Sequence, residues 1–253
     1  MAAALASVRN TIASIWTWFV LAACMVLFMP FIIGWRLIGW PFDRMNYLGG
    51  RLFRIAGAMT ARLTPRWHFT TRGTFPANPR NPYVVVANHE SFSDIVLICL
   101  LPWEMKWLGK RELMWIPVVG WLMWGARDVA VKRGRATSAK LAMAECAKRL
   151  AGHVSVLIFP EGTRTRTGDL LPFKDGAFRL AVDTGVPILP LAISGTRNAV
   201  APNDWRINPA TAVVEVLEPV PSVGMDAQEL KAIVRARIEE ARDRLRTELG
   251  TMR

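Results

Sequence analysis

Hydrophobic positions follow two regimes along the chain. Residues 11–35 contain no charge and are bounded by Arg9 and Arg36. At 1.5 Å per residue a helix of that length covers roughly 37 Å, enough to cross a hydrocarbon core. The run is too long for a signal peptide's apolar region, and bulky Trp35 and Trp40 stand where a small-residue cleavage site belongs. A buried soluble helix rarely stays apolar on every face, so membrane insertion is the expectation. Pro30, followed by Gly34 and Gly39, allows either a helix that spans or a re-entrant hairpin. Trp16, Trp18, Trp35 and Trp40 flank the run as interfacial anchors do. Residues 47–63 mix arginines with Leu52, Phe53, Ile55 and Met59, which suits a helix in the interface or one packed on a domain.

Beyond about residue 66 the pattern becomes an α/β rhythm. Short apolar runs at 83–87, 154–159, 188–193 and 212–217 read as buried strands. Between them, Ala139, Ala142, Met143, Cys146 and Leu150 share one face of a helix over 137–150, with Thr137 or Ser138 as its N-cap. Leu230, Ile233, Val234, Ile238, Ala241 and Leu245 make the apolar stripe of a C-terminal helix. The expected fold is α/β: a mixed, largely parallel sheet covered by helices, with an N-terminal membrane-embedded helical segment. The chain divides into a membrane-anchoring region, 1–65, and an α/β domain, 66–253.

Composition refines this picture. With 52% hydrophobic and 21% charged residues, the chain has material for a core and is not a disordered polymer. The net charge of +12 is uneven: residues 1–82 hold nine arginines against the single acid Asp43. Basic charge around an apolar segment suggests anionic lipid headgroups. No helix-turn-helix, zinc or aromatic-basic signature supports nucleic acid as a partner. If residues 11–35 span, Arg36, Arg44, Arg51, Arg54 and Arg62 place the rest of the chain on the cytoplasmic side, which in a bacterial source is the cytoplasmic face of the inner or plasma membrane. Cys24, Cys99 and Cys146 lie far apart without metal spacing, and there are three histidines in all. Neither a disulfide framework nor a metal site is expected.

Two segments carry chemistry. Asn88-His89-Glu90-Ser91-Phe92-Ser93-Asp94 comes directly after a predicted strand. With His89 in the turn and Asp94 in the first helical turn, the carboxylate can hold one imidazole nitrogen and leave the other to take a hydroxyl proton. That is a triad without its nucleophile, which fits a substrate that supplies the hydroxyl. A satisfied histidine beside a capped helix would look alike. The second segment, Phe159-Pro160-Glu161-Gly162-Thr163-Arg164, runs on to Leu171-Pro172-Phe173-Lys174. Arg164 and Lys174 offer a fork and a point charge for phosphate, and Gly162 permits close backbone approach. Glu161 is placed either on an acceptor hydroxyl or against Arg164. A solvated turn with a surface ion pair is the plainer alternative. Trp103, Trp107, Trp115, Trp121 and Trp124, interleaved with Met105, Met114 and Met123, suit an acyl tunnel, a membrane interface or an aromatic core.

These segments resemble the glycerolipid acyltransferase family of the HxxxxD type, in particular its lysophosphatidic acid acyltransferases. Besides NHESFSD and FPEGTR, the blocks Gly109-Lys110-Arg111-Glu112-Leu113 and Val186-Pro187-Ile188-Leu189-Pro190-Leu191 match in family order, over about residues 82–195. Thr165 stands where a serine is often found, keeping a hydroxyl. The resemblance implies O-acyl transfer from a fatty acyl thioester, of coenzyme A or acyl carrier protein, to a lysophospholipid hydroxyl at the membrane. His89 would be the base and Asp94 its orienting partner, without a bound cofactor or metal. It assigns Glu161, Gly162 and Arg164 to the acceptor's glycerol phosphate; to these we add Thr163 and Lys174 of the same segment as substrate contacts, and Lys110 and Arg133 as second-line phosphate or donor contacts. The implied acceptor is 1-acylglycerol-3-phosphate. A lyso-ornithine lipid, glycerol-3-phosphate, or a catalytically silent lipid-binding protein are the alternatives.

Overall fold

The computed structural model describes residues 2–165, 167–200 and 204–251, and the side chains of 8–165, 167–200 and 204–250. The apolar run forms one uninterrupted helix, α1 (Ala2–Ile38), with Pro30 inside it. The hairpin alternative is therefore replaced by a single helix, of which Val8–Ile38 is long and apolar enough to cross a membrane. Its inner face is Ser14, Thr17, Val20, Cys24 and Ile32, all buried, whereas Ile12, Phe19, Val26, Leu27 and Phe31 point outward. Contacts with the rest of the protein run along its length. Arg66 donates to Asn10, Ile207 N–H donates to the Ser14 hydroxyl at 2.8 Å, and Gly125 packs on Ile32.

After a turn, α2 (Tyr47–Leu63) runs back along α1. Asp43 ends the turn: its carboxylate accepts the N–H groups of Tyr47 at 2.8 Å and Leu48 at 2.9 Å, satisfying two orphan donors of the helix start. Its buried positions are mostly small: Gly50 and Ala58 lie toward the sheet, Ala56 packs against Val20 and Cys24 of α1, and Ala61 packs with Trp67. Thus α2 is packed on the domain rather than laid free in an interface.

One of its arginines departs from the lipid-facing expectation. Arg54 is buried and ion-paired with Glu104 and Asp128, and its guanidinium lies 4.5 Å from the centre of the Trp107 ring. Lys106, also buried, donates to Glu104 at 2.9 Å and to the Asn46 carbonyl at 2.9 Å. Buried charges demand such pairing, so this network fixes the helical pair to the sheet.

The sheet comprises β1 (Trp67–Gly73), β2 (Val84–Ala87), β3 (Met105–Lys110), β4 (Val129–Val131), β5 (Ser155–Ile158), β6 (Ile188–Ser194) and β7 (Ala210–Val216). Their spatial order is β1-β7-β6-β2-β5-β3-β4, and every pairing is parallel except β6 with β7. This is the mixed, largely parallel sheet read from the sequence. Alternate residues feed two cores: Val84, Val86, Val156 and Ile158 on one face, Val85, Ala87 and Leu157 on the other. The first face is covered by α5 (Ala136–Ala151), α6 (Gly176–Thr184) and α7 (Ala227–Thr251). Leu230, Val234, Ile238 and Leu245 of α7 are fully buried, each worth roughly 1.5–3 kcal/mol. The second face carries α3 (Ser93–Ile98) and the helical pair, with Trp103 and Trp107 in its core.

Two expectations change here. Helix α5 begins earlier than its capping signal: Arg135 is the N-cap, and the Ser138 hydroxyl accepts the N–H of Lys132 at 2.9 Å instead. The tryptophan group divides. Trp103 and Trp107 are core, whereas Trp115 at 76%, Trp121 and Trp124 are exposed, the last two on α4 (Val119–Ala126), which packs against α1.

Candidate active site

Strands β2, β5, β3 and β4 run parallel, so the segments leaving their C-terminal ends share one edge of the sheet, the usual ligand edge of an α/β sheet. Ala87 ends β2, and Asn88 continues the ladder with its side chain. Its amide donates to the Ile193 carbonyl at 2.9 Å and accepts the Ile193 N–H at 2.8 Å. That side-chain clamp aims the next residue, His89, out of the sheet edge.

His89 Nδ1 lies 2.7 Å from Asp94 Oδ2, with Asp94 in the first turn of α3. A carboxylate only accepts, so the proton sits on Nδ1 and Nε2 presents its lone pair. Nε2 makes no hydrogen bond among the described residues, and His89 is 9% exposed. The same Oδ2 accepts the N–H groups of Glu90 at 2.7 Å and Ser91 at 2.9 Å, so Asp94 holds the loop as well as the ring. The imidazole stacks on Phe159 with ring centres 4.1 Å apart.

Glu161 joins the two loops. Its Oε1 accepts the His89 N–H at 2.7 Å and its Oε2 accepts the Leu171 N–H at 2.9 Å, while Thr165 N–H donates to the His89 carbonyl at 3.0 Å. Both oxygens of this 4% exposed carboxylate are occupied by backbone donors. With these two bonds Glu161 braces the His89 turn against the 161–171 loop. Burial raises its carboxyl above the usual range, opposed by those two N–H donors.

Gly162 has φ +70°, and a Cβ there would lie 2.5 Å from the Lys174 ammonium, so glycine is what lets Lys174 cross the loop. Thr163, Arg164 and Lys174 are exposed, as are Lys110 at the end of β3 and Arg133 just past β4. Strand spacing sets Lys110 roughly 10 Å and Arg133 roughly 14 Å across the edge from the His89 strand. Arg164, Lys174, Lys110 and Arg133 make no ion pair among the described residues. The geometry gathers His89, Asp94 and Glu161 tightly, pairs Gly162 with Lys174, and leaves the other cations spread along the edge.

Sequence reading missed three contributors. Asn88 and Phe159 lie inside the quoted motifs but act through the Ile193 backbone and ring stacking. Phe92 contacts Trp18 of α1 at 5.9 Å between ring centres, a link that no local pattern signals.

Comparison with known proteins identifies the family. The sequence pattern of the family described as Acyltransferase matches residues 68–194. The chain is 38% identical over 164 residues to the 1-acyl-sn-glycerol-3-phosphate acyltransferase alpha of Homo sapiens, covering 64% of this chain and 58% of that protein. It thus spans little more than half the length of that relative. With the 1-acyl-sn-glycerol-3-phosphate acyltransferase of Salmonella typhimurium it shares 35% identity over 191 residues, 73% of this chain and 77% of the relative. The crystal structure of the 1-acyl-sn-glycerophosphate (LPA) acyltransferase from Thermotoga maritima superposes with a TM-score of 0.79 at 26% identity, covering 95% of this chain and 97% of that one.

Proposed function

Because this chain belongs to the acyltransferase family, we propose that it moves a fatty acyl group from a thioester onto the sn-2 hydroxyl of 1-acylglycerol-3-phosphate, forming phosphatidic acid. The observation that carries the reading is the His89–Asp94 pair, whose Nε2 is open while the chain's own neighbouring hydroxyls are turned away. Ser91 donates to the Val200 carbonyl at 3.3 Å and Ser93 to the Thr196 carbonyl at 3.0 Å. An incoming alcohol therefore takes the nucleophile's place.

In the proposed step Nε2 removes the acceptor's hydroxyl proton as the oxygen attacks the thioester carbonyl. The tetrahedral intermediate collapses, the C–S bond breaks, and the imidazolium returns the proton to the leaving thiolate. Asp94 stabilises the transient imidazolium, and a positioned base of this kind contributes about 10²–10⁴-fold. Glu161 keeps both loops in register. Arg164 and Lys174, with Lys110 and Arg133 behind them, supply cations for the acceptor phosphate, and Gly162 and Thr163 supply room and a hydroxyl beside it. Coenzyme A or acyl carrier protein serves as the donor's carrier, and the scheme uses no metal or bound cofactor.

The outward face of α1 supports membrane attachment. Since the domain is packed on α1 from Asn10 to Ile32, we read the helix as seated in one leaflet beside the site rather than crossing alone. Exposed Trp115, Trp121 and Trp124 extend the same surface.

The test is acyl transfer by purified protein from a labelled thioester to lysophosphatidic acid, glycerol-3-phosphate and a lyso-ornithine lipid in parallel. Labelled phosphatidic acid is expected. Transfer only to another acceptor would overturn the acceptor and keep the chemistry. No transfer from either donor class would leave a silent lipid-binding protein.

A further inference from the structure

Glu90, the residue after His89, has no part in the chemistry above, yet its side chain is only 4% exposed. Its backbone N–H donates to Asp94 Oδ2 at 2.7 Å, the oxygen that holds His89 Nδ1. Its carboxylate accepts from the guanidinium of Arg246 at 3.2 Å. Arg246 lies near the end of α7, and the same Nη2 donates to the carbonyl of Gly168, on the loop that carries Glu161. One guanidinium therefore joins the C-terminal helix to both loops of the site. Glu90 and Arg246 also line a cavity of about 450 Å³, together with His68, Ser194, Arg197 and Asn198.

We propose that Arg246 is a positioning residue for His89, acting through Glu90 and Gly168. The inference rests on the acyl-transfer reading of the site. A buried carboxylate keeps its charge and its place only when a cation answers it. Burial first, and then the neighbouring Asp94 carboxylate, push Glu90 up to about 7, while Arg246 and Arg242 of α7 pull it down. His89 adjoins it in the chain, and His68 and Arg197 stand across the cavity. Without Arg246 the ionisation of Glu90 moves to still higher pH. The protonated carboxyl then has no tether, and the turn that carries His89 loses its outer support. The ionised pair is the positioning form, so part of the rise of kcat with pH through neutrality belongs to Glu90.

The experiment measures kcat and both KM values across neutral pH for wild type, Arg246→Met, Arg246→Lys, Glu90→Gln and the Arg246→Met/Glu90→Gln double variant. Each is expressed relative to wild type on whichever acceptor wild type uses, so a wrong acceptor assignment shows in wild type alone. Arg246→Met is expected to lower kcat by about tenfold while both KM values stay within about twofold, the signature of misplacement rather than lost binding. Lysine restores part of the rate. The Glu90 part of the neutral limb moves to higher pH in Arg246→Met and is lost in Glu90→Gln, which keeps the part due to His89, and the double variant is no worse than Arg246→Met alone. An unchanged kcat, additive losses, or a pH dependence that does not move in Glu90→Gln overturns the proposal. Should Arg246→Met not fold, Arg246→Lys against Glu90→Gln decides by the same pH criterion.

Discussion

Replacing Asp94 by Asn preserves the shape of the pair and removes its charge. Asp94 is fully buried, and its Oδ2 accepts from His89 Nδ1 and from the Glu90 and Ser91 N–H groups. Oδ1 is buried without a hydrogen-bond partner among the described residues. An asparagine oxygen can take the place of Oδ2 and keep all three bonds, but its amide nitrogen then faces the empty Oδ1 position. That unsatisfied donor costs about 1–3 kcal/mol, which leaves the fold intact in a domain of ordinary stability. The rate suffers more. The imidazolium exists in the transition state and not in the resting enzyme, so its attraction to the carboxylate is lost from the barrier alone. Two unit charges about 4 Å apart interact by about 4 kcal/mol at an effective dielectric constant near 20. At about 1.4 kcal/mol per decade, kcat falls about 10³-fold. The assay is kcat at saturating donor and acceptor, with thermal unfolding and circular dichroism as checks on folding. A folded Asp94→Asn protein within about tenfold of wild type would refute the role given to the carboxylate.

Glu161→Gln turns one oxygen into a donor facing a backbone N–H, so it loses about 2–3 kcal/mol of stability and at least about tenfold in kcat, read by thermal unfolding and steady-state kinetics. An unshifted unfolding midpoint would show that the brace is dispensable. Lys106→Met leaves Glu104 buried beside Arg54 alone, which costs about 3–5 kcal/mol in denaturant unfolding, and adding Glu104→Gln recovers much of it. Two losses that simply add would contradict the network. Phe19→Asp with Phe31→Asp, on the outward stripe of α1, weakens vesicle association by about 3 kcal/mol per site, whereas molar salt releases little wild-type protein. Release by salt would mean that charge rather than the apolar face holds the protein.

The strands that were legible were those made mainly of buried apolar residues, β7 among them despite exposed Thr211 and half-buried Glu215. Strands β2, β5 and β6 are continuous apolar runs because helices cover them on each side. Strand β1 alternates polar residues onto an exposed face, β4 has three residues, and β3 carries Lys106, which reads as surface until its buried partners are seen. Arg54 misled for the same reason: Glu104 and Asp128, which draw it inside, lie far along the chain. The His89–Asp94 pair was legible because a strand, a turn and the first turn of α3 place both within seven residues. The Arg246 contact was not, since its partner Glu90 lies 156 residues away. The cations Lys110 and Arg133 could be named from motifs, but their distance from His89 is set by strand order alone.

The central claim is that His89 takes the proton from an incoming lysophosphatidic acid hydroxyl. Its most direct measurement is the rate of labelled phosphatidic acid formation by His89→Ala at saturating substrates, with unfolding temperature and vesicle association matched to wild type. The account predicts a fall of about 10³-fold or more with both of those properties retained. A folded, membrane-bound His89→Ala protein that forms phosphatidic acid at a rate near that of wild type would contradict it.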